Sequence, residues 1–444
     1  MSFVPHTDAE QQEMLRLIGV SDIEELLSTI PESVRLRKPL HLPQALSEFE
    51  VLRELEALSA QNASVDQVIS FQGAGAYDHF IPSAISSIIS RSEFATAYTP
   101  YQPEVSQGTL QSMYEYQSMI CELTGMDVAN ASMYDCGSAL AEACLMAAGD
   151  TGRDEILIAG KVHPLYLEIV RTYTHGQGIQ MRVIQHRDGA SSIADVDSAL
   201  SENTAAVIIQ QPNFFGIIED AEQIVKRAHD AGALAIMVID PISLGIMKSP
   251  GEQGADVVVG EGQGLGIPLS MGGPYLGIFA VREALIRKMP GRMAGMTVDV
   301  EGNRGFVMAL QTREQHIRRE KATSNICTNE GLMMLAATVY LSLIGPEGLK
   351  EVATLSLQKS RYLADRITTI RGFQLKYQEP FFKEFLVDTP LPATEIIYRL
   401  SQKGVLPGID ISSLDPEETG LLIAVTEKRT RAELDRFVEL LRAL

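Results

Sequence analysis

The chain has 444 residues, of which 45% are hydrophobic and 21% charged, and this balance excludes a disordered or fibrous protein. Its 37 Lys and Arg residues against 57 Asp and Glu residues give a net charge of −20, so we expect neither nucleic acid nor a membrane surface as a partner. No run of about 18 uninterrupted apolar residues predicts a membrane span. The four cysteines lie at no metal-ligand spacing and the N-terminus lacks a signal-peptide pattern, so we expect a cytoplasmic protein with reduced thiols and no metal site.

The sequence predicts three regions, of which the first two are an N-terminal arm and a large domain. Residues 1–60 predict a helical N-terminal arm, because short amphipathic stretches are interrupted by Pro31, Pro39 and Pro43. Residues 61–345 predict a large α/β domain with a mostly parallel sheet, because apolar runs alternate with helical segments. These runs are Ile156–Ala159, Met181–Ile184, Ala205–Ile209, Ala233–Ile239, Val257–Val259 and Leu276–Val281.

The third predicted region follows the long helix-favouring runs 331–343 and 346–370. Residues 346–444 predict a small α+β C-terminal domain. Its predicted strands are Phe373–Tyr377, Glu384–Val387 and Leu421–Val425, and its predicted helices are Ala393–Lys403 and Arg429–Leu444.

Two turns at element ends are candidate ligand sites. Met133–Ser138 opens a strong helix, and the N–H groups of a helix N-terminus can hold a phosphate, although Asp135 or Ser138 could simply cap the helix. Asp240 ends an apolar strand, where a carboxylate can hold a pyridinium nitrogen, although it is also an ordinary turn former. Both interpretations stay open for each turn.

Two polar segments could bind a ligand. Residues 97–104 form a loop stiffened by Pro100 and Pro103, so its tyrosines could present hydroxyl groups with little ordering cost, but a packed surface turn is equally compatible. Residues 310–330 predict a basic helix that runs into a Thr, Ser and Asn cluster, which could bind an anion. Alternatively, Asn325 or Thr328 caps the helix that begins near residue 331.

The loop at residues 260–274 lacks an amine. Pyridoxal-phosphate enzymes of the aspartate aminotransferase type keep their Schiff-base lysine after the corresponding strand, and this loop is similar to theirs in position. Between Lys248 and Lys288 the chain has no lysine, and a covalent bond to the cofactor aldehyde needs one. We therefore do not expect this chain to hold the cofactor covalently.

Three segments together closely resemble the P-protein of the glycine cleavage system, a glycine dehydrogenase (decarboxylating). They are Gly75–Pro82, Ala97–Glu104 and Arg319–Thr328. The chain looks like the N-terminal half of the long form, or subunit 1 (alpha) where the enzyme is split in two. The resemblance implies an aspartate-aminotransferase-like large domain of pyridoxal-phosphate fold type I. In that family a lysine precedes two prolines at the spacing that Pro268 and Pro274 have from Gln263, so Gln263 takes the lysine position.

The resemblance also implies a function and a set of roles. With subunit 2 (beta), which would bind pyridoxal phosphate covalently, the chain would decarboxylate glycine and transfer the aminomethyl group to the lipoyl arm of H-protein, in an α2β2 assembly. The substrate wall of the partner's site would then include Tyr98, Tyr101 and Gln102. The partner's cofactor phosphate would be reached by Thr323, Ser324, Asn325, Arg319 and Thr328.

Two alternatives remain. A self-sufficient pyridoxal-phosphate enzyme of aminotransferase or desulfurase type could use Lys248, although this residue follows Asp240 in a turn that precedes the expected strand. A non-catalytic scaffold could bind subunit 2 and contribute no residue to the site, which would leave the polar loops without a role.

Overall fold

The computed structural model describes residues 5–36, 38, 40–185 and 188–444. The chain divides into two compact units, residues 1–63 and residues 64–444. The first unit contains α1 (Asp8–Ile18), α2 (Ile23–Leu26) and α3 (Glu48–Ser59). Capping boxes start α1 at Thr7 and α3 at Ser47. Helices therefore lie within the predicted arm, whose Pro39 falls outside the described residues.

The second unit is built around a seven-stranded sheet in the order β2-β8-β7-β6-β5-β3-β4. Strands β3 to β7 are parallel, whereas β8 is antiparallel to β7, and β2 is antiparallel to β8. The predicted mostly parallel sheet is therefore confirmed. The strands are β2 (Val128–Ala129), β3 (Glu155–Ala159), β4 (Gln180–Val183), β5 (Thr204–Gln211), β6 (Leu234–Ile239), β7 (Val257–Glu261) and β8 (Gly277–Val281).

Helices cover both faces of this sheet, because adjacent strand residues point to opposite sides. Val207 packs in the same cluster as the helices Gln107–Thr124, Ala221–Asp230 and Gly331–Ile367. Ile208 packs in the cluster of the helices Cys136–Thr151 and Pro164–His175. The helices of this unit are α4 (Ser83–Ile89), α5 (Ser92–Ala95), α6 (Gln107–Thr124), α7 (Cys136–Thr151), α8 (Pro164–His175), α9 (Ile193–Ala199), α10 (Ala221–Asp230), α11 (Gln315–Arg318), α12 (Gly331–Ile367), α13 (Ala393–Ser401) and α14 (Arg431–Arg442).

Smaller sheets complete the second unit. The C-terminal part has an antiparallel sheet in the order β11-β12-β15-β14, in which β11, β12 and β15 overlap the three predicted strands and β14 was not predicted. A hairpin of β9 and β10, and a short parallel pair of β1 and β13, were not predicted. The strands are β1 (Ile69–Ser70), β9 (Met293–Val298), β10 (Arg304–Ala309), β11 (Gln374–Leu375), β12 (Glu384–Asp388), β13 (Val405–Leu406), β14 (Ile409–Asp410) and β15 (Leu421–Ala424).

Helix α12 links the two regions predicted to meet at residue 346. It bends at Gly345, whose φ of 60° only a glycine adopts readily, and Pro346 begins the next helical segment. Both predicted regions lie within the single unit 64–444, so the boundary at 345/346 stays a prediction. Within the described residues α12 alone has the length and composition of a membrane span, but core helices meet the same criterion and this one is bent and packs against α6.

Candidate functional site

The carboxyl ends of β5, β6 and β7 meet at one edge of the sheet, where ligands of open α/β sheets bind. Asp240 directly follows β6, Glu261 ends β7, and Gln263 lies in the short helical turn after β7. A cavity of about 40 Å³ lies at this edge. Its lining includes Tyr77, Cys136, His163, Tyr166, Asp240, Glu261, Phe382, Lys383 and Glu384.

Gln263 stands where the resemblance places the cofactor lysine, and its amide is fully engaged. The residue is 2% exposed. Its Oε1 accepts a hydrogen bond from the Tyr77 N–H (2.8 Å), and its Nε2 donates to the carbonyls of Tyr77 (3.1 Å) and Ile267 (2.7 Å). Gln263 therefore ties the loop after β7 to the segment around Tyr77 and offers no nucleophile.

Lys383 is a buried amine at this edge that the sequence reasoning missed. Its ammonium lies 2.7 Å from the Asp240 carboxylate and 3.6 Å from the centre of the Tyr77 ring. It also donates to Nε2 of His79 (2.9 Å), whose Nδ1 lies 2.6 Å from Glu427. Because an ammonium only donates, Nε2 of His79 accepts and Nδ1 carries the proton that it donates to Glu427. Asp240, a candidate for a pyridinium nitrogen, is thus already paired with a cation of this chain.

Glu384 adds a second carboxyl group beside this pair. Its Oε2 accepts from the Tyr77 hydroxyl (2.8 Å) and its Oε1 from the Ala74 N–H (2.6 Å). Burial raises the pKa of Glu384 to about 7, and the nearby Asp240 charge acts in the same direction. Burial also raises the pKa of Tyr77 well above its usual value. Tyr77 is therefore neutral near neutral pH, whereas Glu384 is only partly protonated there.

The turn at Met133–Ser138 forms a capped helix start. Asp135 is the N-cap of α7, and its Oδ1 accepts from the Ser138 N–H (2.7 Å). The Cys136 N–H donates to Glu261 (3.2 Å), whose carboxyl group also accepts from the N–H groups of Gln263 (3.1 Å) and Leu276 (3.0 Å). Two N–H groups of the first turn of α7, those of Cys136 and Ser138, are thus used by carboxyl groups of this chain, and the bond to Asp135 is the one that the helix-cap interpretation predicts.

These residues do not fit pyridoxal phosphate within this chain. A cavity of about 40 Å³ holds one or two water molecules, whereas a cavity of about 150 Å³ takes up a single benzene ring. Lys383 pairs with the Asp240 carboxylate that would otherwise be free for a pyridinium nitrogen, and Glu261 accepts from an N–H group of the helix N-terminus that would meet a phosphate. Lys248 lies outside the cavity lining and forms a half-exposed ion pair with Glu222.

His163 has a structural role at the same edge. It is the N-cap of α8, its ring stacks on Tyr166 with centroids 4.2 Å apart, and its Nε2 lies 2.9 Å from the Ala74 carbonyl. Nδ1 accepts from the Leu165 N–H (3.2 Å), so Nε2 carries the proton. Burial lowers the pKa of His163 to about 4. His163 is therefore a neutral histidine whose ring nitrogens are both hydrogen-bonded within the chain.

A second site brings together residues of the two predicted polar segments. Arg292 donates to the Tyr101 hydroxyl (3.3 Å) and to Oγ1 of Thr328 (3.2 Å), and its guanidinium lies 5.6 Å from the centre of the Tyr101 ring. A cavity of about 200 Å³ lies beside it, lined by Tyr98, Thr99, Thr328, Asn329 and apolar side chains of α5, α6 and α12. Tyr98 is 86% exposed at its rim. Arg292 follows Pro290 and Gly291 without a recognised motif, so no local pattern marks it as a site residue.

The remaining predicted site residues lie at the surface. Gln102 is exposed at the start of a helical turn, and Arg319, Thr323 and Asn325 are exposed, whereas Ser324 is half-buried. The structure does not bring these residues to the cavity beside Arg292. Whether they reach a partner's site stays a prediction.

The segment 310–330 differs from the predicted basic helix. Helix α11 covers only Gln315–Arg318 and ends at Arg319, which has a positive φ of 55°. The N-cap of α12 is Glu330, with no side-chain hydrogen bond to the helix, so capping by Asn325 or Thr328 was wrong. The side chain of Asn329 instead donates a hydrogen bond to the Ala131 carbonyl (2.8 Å), which holds the segment against the β2–α7 connection.

In the described part of the chain no group of three His, Cys, Asp or Glu side chains is placed to hold a metal ion.

The sheet defines the class of protein. A mostly parallel seven-stranded sheet with one antiparallel strand beside β7, and an aspartate after β6, is the architecture of pyridoxal-phosphate-dependent enzymes of fold type I. A cysteine desulfurase from Thermococcus onnurineus NA1 superposes with a TM-score of 0.63 at 16% identity, over 85% of this chain and 94% of that chain. At that identity the likeness shows the fold alone, and it confirms the predicted fold class.

The chain belongs to the glycine cleavage system P-protein family, whose model matches residues 1–441. Relatives called probable glycine dehydrogenase (decarboxylating) subunit 1 are 56% identical in Chloroherpeton thalassium, over 100% of both chains, and 56% identical in Desulforamulus reducens, over 98% of both. A crystal structure of glycine decarboxylase (P-protein) of the glycine cleavage system, in inhibitor-bound form, matches with a TM-score of 0.91 at 41% identity, over 100% of both chains. The predicted family is confirmed.

Proposed function

We propose that this chain is the subunit of a two-subunit glycine decarboxylase that lacks the cofactor lysine. The lysine-bearing subunit 2 binds pyridoxal phosphate, which supplies the decarboxylation chemistry, and the pair transfers the aminomethyl group of glycine to the lipoyl arm of H-protein. The relatives' name, subunit 1, supports a subunit 2 as partner. An α2β2 assembly is the symmetric arrangement that follows if two such chains share their sites.

The observation that carries this proposal is the amide at position 263. The chain is 41% identical to a solved glycine decarboxylase over its whole length. In the turn after β7, where the resemblance places the cofactor lysine, it has Gln263, whose amide donates to two backbone carbonyls. The neighbouring Lys383 and Glu261 fill the places where a cofactor would bind. A chain that keeps this fold and closes this cavity is expected to act through a partner.

The contribution of this chain is positioning at the partner's site. Tyr98 and Tyr101 are largely exposed on a loop that Pro100 stiffens, so they can contact a neighbouring subunit with little ordering cost. Thr323 and Asn325 are exposed on an adjoining segment and offer donors for the partner's cofactor phosphate. A pure scaffold would leave the bond between Tyr101 and the buried Arg292 without a role.

Reconstitution tests the proposal. Each purified subunit alone, and the two together, are assayed for release of labelled carbon dioxide from carboxyl-labelled glycine in the presence of lipoylated H-protein. We expect release only from the mixture, together with co-elution of the two subunits in size-exclusion chromatography. Full activity of subunit 2 alone would contradict the proposal, and so would glycine-dependent release by this chain alone.

A further inference from the structure

The cavity of about 200 Å³ beside Arg292 has one buried cation with unused donors. Arg292 is 4% exposed. A guanidinium has five N–H donors, and the hydrogen bonds to Tyr101 and Thr328 use two of them. Within the described residues, Nε of Arg292 has no hydrogen-bond partner. Buried donors normally find a partner, so the remaining N–H groups are available to a ligand.

The charge around Arg292 selects the kind of ligand. Glu314 is the nearby anion, with its Oε2 3.8 Å from Nε of Arg292, and its Oε1 is buried without a hydrogen-bond partner in the described chain. His316 lies 3.5 Å from Glu314. Because Glu314 lies 3.8 Å from Nε and offsets part of the Arg292 charge, it repels a ligand with one negative charge less than a dianion such as a phosphate. The planar fork of a guanidinium also matches a carboxylate.

The cavity has a route for such a ligand. Its lining includes the largely exposed Tyr98 and the buried Arg292, together with the polar Thr99 and Thr328. The lining also includes apolar side chains, those of Phe94, Met113, Leu332, Met334 and Leu335. The cavity therefore connects an exposed residue of the loop 97–102 with the buried guanidinium, and a small carboxylate fits between them.

We propose that Arg292 binds the carboxylate of the amino-acid substrate, with Tyr101 and Thr328 holding the guanidinium in place. This inference rests on the proposed function, because it places the carboxylate of glycine in this cavity, against Arg292, in the two-subunit enzyme. The cation that determines substrate specificity then lies in this chain, whereas the cofactor lies in subunit 2. This contact selects glycine over an amine that lacks a carboxylate.

The test uses the assembled two-subunit enzyme with Arg292→Gln and Arg292→Lys. Glycine and glycinamide, which lacks the carboxylate, are compared through the glycine KM and through calorimetric dissociation constants. We expect Arg292→Gln to raise the glycine KM about 10- to 100-fold, as for a lost charge-assisted hydrogen bond, and to leave glycinamide binding unchanged. Arg292→Lys keeps the charge without the fork and should recover part of the loss. Arg304→Gln, at an exposed arginine on β10, is the matched control.

The possible results separate the role of Arg292 from the proposed function. An unchanged glycine KM in an intact Arg292→Gln complex would overturn the inference while wild-type turnover still supports the proposed function. Lower cofactor occupancy with an unchanged glycine KM would mean that Arg292 serves the phosphate, which also overturns it. Wild-type enzyme that binds glycinamide as tightly as glycine would contradict it without any variant. Wild-type enzyme that does not turn over glycine would contradict the proposed function itself.

Discussion

The Lys383 ammonium lies 2.7 Å from the Asp240 carboxylate, and both side chains are largely buried at the carboxyl end of β6. The pair closes the edge of the sheet where fold type I enzymes bind their cofactor. Its counterpart on the other side of the cavity is Glu261, whose carboxyl group lies at the N-terminus of α7. The chain therefore satisfies with its own side chains the groups that would otherwise face a ligand.

Removing the cation tests whether this pair is structural. Lys383→Met leaves the Asp240 carboxylate buried without its partner, so we expect the free energy of unfolding to fall by about 3 to 5 kcal/mol. Lys248→Met removes a half-exposed lysine paired with Glu222, and its expected cost is about 0 to 1 kcal/mol. Urea unfolding of both variants measures the difference. Equal costs for the two lysines would show that the buried pair does not stabilise the fold.

The pH dependence of stability tests the carboxyl group at the start of α7. Burial raises the pKa of Glu261 to about 8 from its usual 4.5. The folded state then binds more protons than the unfolded state between these values, so this group's contribution to stability is full below about pH 4.5 and is lost as the pH rises to about 8.

Glu261→Gln removes this titration, and the comparison isolates its effect. The compared quantity is the free energy of unfolding of the wild-type protein minus that of Glu261→Gln. We expect this difference to fall by about a few kcal/mol from pH 5 to pH 9, as the pKa shift implies. Urea unfolding at both pH values measures it. Parallel stability profiles of the two proteins would show that Glu261 is ionised throughout.

Tyr101→Phe distinguishes a subunit that shapes the site from a scaffold. The variant keeps the ring over Arg292 and loses only the hydroxyl that accepts the 3.3 Å hydrogen bond. The loss of one hydrogen bond, about 0.5 to 1.5 kcal/mol, predicts a 2- to 10-fold lower kcat/KM for glycine in the assembled enzyme. Tyr398→Phe, on the exposed face of α13, should have no effect. Full turnover by Tyr101→Phe would favour the scaffold.

Thr323→Ala tests whether the segment after α11 reaches the partner's cofactor. Loss of one neutral donor to the phosphate should weaken cofactor binding by about 0.5 to 1.5 kcal/mol, or up to about 3 kcal/mol for a charge-assisted bond. Titration of the two-subunit apoenzyme with pyridoxal phosphate measures the affinity, with Thr172→Ala on the surface of α8 as control. Wild-type affinity and turnover would remove Thr323 from the site.

The sequence predicts the large sheet well because its strands are continuous apolar runs buried on both faces. The run 234–239 was predicted within one residue, since its residues are almost all buried. The hairpin of β9 and β10 was missed because only a third of its residues are buried and its apolar residues alternate weakly. A strand pattern of this kind does not stand out from loop sequence.

The candidate site was predicted only where a motif or a missing residue marks it. Gln263 was found because a lysine was expected there, and Tyr101 because prolines flank its loop. Lys383 and Arg292 were missed because their partners, Asp240 and Tyr101, lie 143 and 191 positions away in the chain. Pairs of that separation are set by the tertiary fold and leave no local pattern.

Borohydride reduction followed by peptide mapping shows which subunit binds pyridoxal phosphate covalently. The assembled enzyme is incubated with pyridoxal phosphate and reduced, and the labelled lysine is located in each subunit. We expect a label on one lysine of subunit 2 and none on this chain. A stoichiometric label on Lys383 or Lys248 would contradict it, because this chain would then anchor the cofactor itself.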